Sequence, residues 1–284
     1  ALAAYESAFR WDAFVAALIG SVLIQVGVNY ANDLADAARG ADTADRIGPR
    51  RAVATGTISA RTMRNAMIAV FVAAGGVGVY LVAIAGWPVA VIGVVSIVAA
   101  LGYTNGPVPY GYRGLGEVFV FVFFGLVATA GTTYAAIESV TALSLVMGCA
   151  VGSLACALLV INNLRDIPTD REVGKKTLAV RLGDRRTRWF YTALIASAFV
   201  LSAVAAGWRP PVLLGLVAIP LAIRPIRLVL GGATGGALIP VLGETGRLQL
   251  AWGALGTNGR VVCWGNNDSG QVGDGTNTDA DGDP

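Results

Sequence analysis

Two stretches of this 284-residue chain concentrate the side chains capable of polar chemistry. The first runs from Asn29 as NYANDLADAARGADTADRIGPRR, the second from Ile161 as INNLRDIPTDREVGKKTLAVRLGDRRTR. If the helix carrying the first stretch continues to residue 36, Asn29, Asn32, Asp33 and Asp36 fall at i, i+3, i+4 and i+7 and share one face. Asn162, Asp166 and Asp170 repeat at a spacing of four, with Pro168 placed to distort the turn between the two acids. Carboxylate and amide oxygens are hard ligands suited to Mg²⁺, which commonly joins one or two carboxylates to the phosphate oxygens of a substrate. Arg39, Arg46, Arg165, Arg171, Lys175 and Lys176 lie beside them and can hold the remaining phosphate charge through charge-assisted hydrogen bonds. One such loop alone reads best as a solvated, charge-balanced connection. Two of them, each opening on an Asn-rich helix end, favour a metal-diphosphate site. Asn32 and Asn162 share faces with the acids and are assigned to it, whereas Asn29 and Asn163 are equally suited to hydrogen bonds between helices.

Other chemistries are excluded or weak. The chain has no histidine, which removes Ser-His-Asp and Cys-His nucleophile arrangements, His-ligated zinc and His general-base catalysis. Cys149, Cys156 and Cys263 form no C-x-x-C, and the first two lie in apolar runs, so they read as buried small hydrophobes. Gly174-Lys175-Lys176-Thr177 matches only the end of a phosphate-binding loop, because position 169 is Thr and no strand precedes it. Its lysines fit better as contacts to a diphosphate or to lipid headgroups.

The elements that must position these residues are apolar. The chain is 55% hydrophobic and only 14% charged, against about 25% charged in soluble domains. Runs long enough to cross a hydrocarbon core, which takes about 20 residues, predict eight helices near 12–33, 63–85, 87–103, 116–137, 141–165, 187–207, 211–230 and 236–255. The fold class is all-α, a polytopic transmembrane bundle. Fourteen of the 21 Lys and Arg lie between Asp33 and Asn65 or between Arg165 and Arg188. The loops at 34–62, 104–115, 166–186 and 231–235 fall on one side of the membrane, and their cationic excess assigns that side to the cytoplasm. Residues 1–10 lack a signal-peptide pattern and read as the end of a preceding element, compatible with a ninth helix upstream.

The stretch NDLADAARGAD with DRIGPRR, together with NNLRDIPTDREVGKKTLAVRLGD, resembles the two Asp-rich motifs of the UbiA superfamily of membrane prenyltransferases. GYTNGPVPYGYRGLGEVFVFVFFGLVATAGT from Gly102 and LAIRPIRLVLGGATGGALIPVLGETGRLQL from Leu221 are similar to its 1,4-dihydroxy-2-naphthoate polyprenyltransferase subgroup. The resemblance covers about residues 1–255. It implies nine transmembrane helices in a cell-membrane enzyme and a cytoplasmic diphosphate chamber open toward lipid. The implied reaction is Mg²⁺-dependent transfer of a polyprenyl group from its diphosphate to 1,4-dihydroxy-2-naphthoate, with decarboxylation to demethylmenaquinone. Asn32, Asp33 and Asp36 match the first motif and Asp166 and Asp170 the second, so the four acids Asp33, Asp36, Asp166 and Asp170 are the expected catalytic set. With Asn32 and Asp42 they are the expected metal ligands. Asp42 stands in for the last acid of the general pattern, whose place is taken by Gly40. Asn32, Arg46, Asn162, Arg165, Lys175 and Lys176 are the expected diphosphate contacts.

Ionisation of an allylic diphosphate needs charge neutralisation more than a nucleophile. Asp33 or Asp36 could then orient or deprotonate the acceptor hydroxyl. Tyr30, Tyr103, Phe119, Phe123 and Tyr134 could shield the cation with their π faces, though each is individually better explained as membrane packing. Another acceptor such as 4-hydroxybenzoate is the alternative within this chemistry. A transporter is the alternative outside it, but it would set its acids near the bilayer midplane rather than at helix ends beside cations. No nucleic-acid partner is expected.

Up to Gly256 the chain carries 20 Lys and Arg against 13 acids, and from Thr257 onward one Arg against five Asp. The domain division is accordingly 1–256 for the membrane body and 257–284 for a Gly/Asn/Asp-rich tail. TNGRVVCWGNNDSGQVGDG resembles one repeat of the RCC1-type β-propeller family, and one such repeat cannot bury a core alone. An irregular or hairpin-like segment without a role in catalysis is expected there.

Overall fold

The computed structural model describes residues 10–38, 51–103 and 109–256, and no strand occurs among them. In chain order the helices are α1 (Trp11–Ala38), α2 (Ala60–Ala85), α3 (Trp87–Gly102), α4 (Gly116–Ile137), α5 (Ala142–Arg165), the short α6 (Ile167–Glu172) and α7 (Leu178–Leu182), α8 (Asp184–Ala205), α9 (Pro210–Leu230) and α10 (Ile239–Gly256). Each of the eight predicted apolar segments is a helix. Six of them, α1, α2, α4, α5, α8 and α9, are long and apolar enough to cross a membrane, so this is a polytopic helical bundle. The tail, residues 39–50 and residues 1–9 lie outside the described residues, and with them Arg39, Arg46 and Asp42.

Local chemistry sets the helix ends. Ser59 accepts the Thr62 N–H to start α2, and Gly86 takes φ 80° to turn the chain directly from α2 into α3. Thr141 and Ser144 form a reciprocal capping box at the start of α5. Two features go beyond the sequence expectation. Helix α1 runs to Ala38, so the one-face alignment of its acids is realised. The polar segment 166–186, expected as a loop, folds into α6 and α7, with Thr177 capping α7 through the Val180 N–H.

The bundle has a solid half and a hollow half. Helix α5 is central to the solid half, where Leu154, Ile161, Tyr191, Ile195, Leu248 and Trp252 are buried in one apolar cluster. Buried hydrogen bonds tie α8 to α10 within it: Tyr191 with Thr245 at 2.7 Å, and the Trp252 indole N–H donating to Ser202 at 2.9 Å. Helices α2 and α3 instead expose Val72, Val79, Val94 and Val98, as lipid-facing helices do.

Helix α4 joins the halves. It widens into a π segment over Phe121–Val127, and Gly125 of that segment lies against Gly148 and Gly152 of α5. A Cβ at Gly125 would stand 2.5 Å from the Gly152 Cα and 2.6 Å from the Gly148 carbonyl oxygen, both backbone atoms that cannot swing away. Gly125→Ala therefore costs about 1–3 kcal/mol of overpacking. The thermal midpoint of the detergent-purified variant is expected to fall measurably below that of the unmodified chain.

Candidate active site

Three of the four loops assigned to one side of the membrane meet. Asp33 and Asp36, at the end of α1, are both buried, and residues 51–53 fold back over them. The Ala52 and Val53 N–H groups donate to the two Asp33 carboxylate oxygens, each at 3.1 Å. Arg51 Nη2 donates to Asp36 Oδ2 at 3.2 Å, and the Tyr112 hydroxyl donates to Asp36 Oδ1 at 2.9 Å. The Arg51 Nε is buried and makes no hydrogen bond among the described residues, which leaves a guanidinium donor available beside the acids.

The second segment arrives from the end of α5. Asp166 is held by the neighbouring Arg165 in a two-pronged pair, Nε to Oδ1 at 2.6 Å and Nη2 to Oδ2 at 2.7 Å. Asp170, on α6, is buried and accepts a long bond of 3.5 Å from the Thr177 hydroxyl. Burial pushes its carboxyl up to about 6; Asp166 and Asp36 act in the same direction, and Lys175 and Thr177 oppose them. Acids of the two segments thus lie within electrostatic reach of one another. Lys175 sits 4.6 Å above the Tyr112 ring, and the Lys176 backbone N–H donates to the Tyr112 carbonyl at 2.9 Å, which joins α6 to the Tyr110–Arg113 turn. Lys176 itself is exposed.

Below this polar mouth lies an apolar cavity of about 370 Å³ in the hollow half, walled by α1, α2, α3 and α4. Along α1 it extends from Asn32 to Ala17, about 22 Å at 1.5 Å per residue. Its mouth-side wall is an aromatic ladder. Tyr103 meets Tyr110 edge-on with ring centroids 5.5 Å apart, Tyr110 stacks on Phe119 at 3.6 Å, and Phe119 continues to Phe123 at 5.9 Å. A buried acidic and cationic mouth over a long dry pocket suits a molecule with an anionic head and a hydrocarbon tail.

Residues 1–238 match the UbiA prenyltransferase family. The chain belongs to the UbiA prenyltransferase family. It is 45% identical over 261 residues to the 1,4-dihydroxy-2-naphthoate octaprenyltransferase of Mycobacterium tuberculosis, covering 92% of this chain and 88% of that one. The enzyme of the same name from Escherichia coli is 38% identical over 272 residues, covering 91% and 85%. A solved UbiA homolog from Archaeoglobus fulgidus shares the fold, with a TM-score of 0.62 over 88% of each chain at 15% sequence identity.

Within this UbiA-family bundle, the structure brings Asn32, Asp33, Asp36, Asp166, Asp170 and Lys175 to one mouth. Asn32 lines the cavity just below the acids. Asn162 is half-buried at the end of α5, where its carbonyl accepts the Asp166 N–H at 3.1 Å. Two predicted residues stand differently from expectation. Asn29, one turn before Asp33 on α1, is exposed rather than part of the buried cluster. Arg165 is buried and committed to Asp166. Asn163 takes the interhelical of the two roles open to it, donating to Glu117 at 2.8 Å. Of the five aromatics proposed to face the cation, Tyr103, Phe119 and Phe123 line the cavity, while Tyr30 and Tyr134 do not. Sequence reasoning passed over Arg51, Tyr110, Tyr112 and Glu117. Arg51 stands in the same GPRR run that ends the first motif, and the other three in GPVPYGYRGLGE, whose density of Gly, Pro and Tyr between two apolar runs was the available signal.

Proposed function

We propose that this chain transfers a polyprenyl group from an allylic diphosphate to 1,4-dihydroxy-2-naphthoate with loss of CO2, producing demethylmenaquinone in its quinol form for menaquinone biosynthesis. The observation that carries this reading is the convergence of both acidic segments on the mouth of the aromatic-lined cavity. The acceptor is supported by the relatives of that name, which align over about nine tenths of the chain. Residues 1–256 form the enzyme, set in the cell membrane with the mouth toward the cytoplasm, and residues 257–284 take no part.

The donor set suits Mg²⁺. Asp170 is buried with one long hydrogen bond and faces the charge of Asp36 and Asp166, an imbalance that a divalent cation relieves. Among the described residues no three carboxylates gather closely enough to enclose an ion. That arrangement fits an ion held by one or two carboxylates and completed by substrate phosphate. One or two of Asp36, Asp166 and Asp170 would hold it, with Asn32 and Asp33 beside them, and the metal would supply charge neutralisation of the departing diphosphate. Arg51 and Lys175 bind phosphate oxygens, while the aromatic ladder keeps water from the allylic carbon.

A pH dependence follows from Asp170. Its folded-state carboxyl titrates at about 6, above the ordinary value of 3.8. Protons therefore compete with metal below pH 6, and Mg²⁺ affinity is expected to fall about tenfold per pH unit there. Without metal the same shift acts on stability in the opposite sense: the contribution is fully present below about pH 4 and is lost as pH rises through 6. Metal titrations at pH 5, 6 and 7.5 check the first effect, since affinity that stays flat across them would rule it out.

Incubating membranes that contain the protein with a polyprenyl diphosphate and either 1,4-dihydroxy-2-naphthoate or 4-hydroxybenzoate, with and without Mg²⁺, tests the function. Metal-dependent prenylated product from the naphthoate is expected. Product from 4-hydroxybenzoate alone would reassign the acceptor, and none from either would refute the reaction.

A further inference from the structure

One buried acid belongs to neither motif. Glu117, in the first turn of α4, is 4% exposed. Its Oε1 accepts the Asn163 amide at 2.8 Å, while its Oε2 is buried without a hydrogen bond among the described residues. Leaving a carboxylate oxygen unpaired inside a protein is costly, and in a membrane bundle such an acid is by default functional. Glu117 stands beside the mouth end of the cavity without being one of the residues that line it. The Tyr103 phenol, whose ring lines the cavity, lies within electrostatic reach of Glu117 on one hand and of Asp170 and Asp36 on the other. One turn along α4, Val120 lines the same cavity.

What Glu117 meets differs from what the motif acids meet. Asp33 has both oxygens filled by backbone N–H groups, and Asp36 is bound by Arg51 and Tyr112. Each of their oxygens already has a donor, whereas Glu117 Oε2 has none among the described residues. The cations gather around the motif acids, and the groups acting on Glu117 are burial, its own backbone N–H and Asn163. A carboxylate with one oxygen fixed by an amide, and with neither a partner on the other nor a cation beside it among the described residues, is built to accept a hydroxyl hydrogen rather than to hold a metal or an anion.

We infer that Glu117 binds the acceptor hydroxyl adjacent to the ring carbon that is prenylated and shuttles its proton, an inference that rests on the function proposed above. As the bond from the allylic carbon to diphosphate breaks, a bond forms between that carbon and the ring carbon bearing the carboxylate. The hydroxyl becomes a carbonyl, and its proton passes to Glu117 Oε2. The product of that step is a β-keto acid, which loses CO2. The electron pair of the broken carbon–carbon bond passes to the carbonyl oxygen, which recovers the proton from Glu117. Prenylated quinol, CO2 and diphosphate leave, and Glu117 ends as it began, so no outside acid, base or oxidant is needed. Asn163 acts as a positioning residue, fixing the carboxylate so that Oε2 points at the substrate.

The test compares unmodified protein with E117Q, E117D and E117N in steady-state assays offering a polyprenyl diphosphate and both acceptors. E117Q keeps an oxygen for Asn163 and the side-chain length, so KM for the diphosphate and the thermal midpoint should stay unchanged while kcat falls at least about 100-fold. E117D should run faster than E117N, because the two share a length and differ in the acid. E117Q turning over at the unmodified kcat overturns the inference alone. Should E117Q fail to fold, equal rates for E117D and E117N overturn it instead. If the unmodified protein consumes neither acceptor, the proposed function and this inference fall together.

Discussion

Asp36→Asn is expected to lower kcat by about 10³-fold, the scale on which a group stabilising transition-state charge acts, while membrane insertion and purification behaviour are preserved. The amide keeps the size of the carboxylate and can still accept from Tyr112, but it loses the ion pair to Arg51 and the negative charge that holds a metal. Asp166→Asn is expected to fail as badly for a related reason: it removes one metal-holding acid and frees the buried Arg165 from its partner. An unpaired buried guanidinium would then compete for the diphosphate in the wrong place. Rates of both variants in purified protein decide the matter. Near-unmodified turnover in the two of them would mean that the acids only balance the charge of their loops.

Filling the cavity is expected to produce the second large effect, and a selective one. Gly93 of α3 lines the pocket, and a Cβ built on it meets nothing within 4 Å, so a larger side chain can enter without displacing backbone. It lies nine residues from Gly102 at the mouth end of α3, about 13 Å down the pocket. Gly93→Phe would stop a long isoprenoid chain there and hold its allylic carbon out of register with the diphosphate mouth. Misplacement of that kind can cost about 100-fold in rate. The tail's transfer from lipid to pocket contributes little, because lipid is as apolar as the cavity. The loss should therefore appear in kcat/KM for octaprenyl diphosphate, with dimethylallyl diphosphate spared. Equal loss with both donors would show that the substitution damages the bundle rather than the tail site.

The helices and the acidic mouth were legible in the sequence for separate physical reasons. Lipid demands continuous apolar runs, so all eight long helices could be placed to within a few residues, and the i, i+3, i+4, i+7 spacing placed Asn32, Asp33 and Asp36 together once α1 was helical to Ala38. What remained hidden depends on tertiary folding. Nothing in local spacing says that Arg51 folds back 15 residues to Asp36, or that Tyr112 reaches the same carboxylate from 76 residues away. Glu117 was hidden because a lone Glu at a helix start looks like a favourable first-turn charge. Its significance comes from burial and from an oxygen left without a partner, which only packing reveals. The π segment of α4 is similar: Gly125 reads as a small membrane residue until Gly148 and Gly152 are found against it.

The most direct measurement supplies purified protein, Mg²⁺ and a polyprenyl diphosphate with 1,4-dihydroxy-2-naphthoate labelled in its carboxyl group, and counts released CO2 against prenylated product. One molecule of labelled CO2 per molecule of product, with neither formed after chelation of the metal, is the predicted result. A product that retains the label, or the absence of any prenylated product, would contradict it.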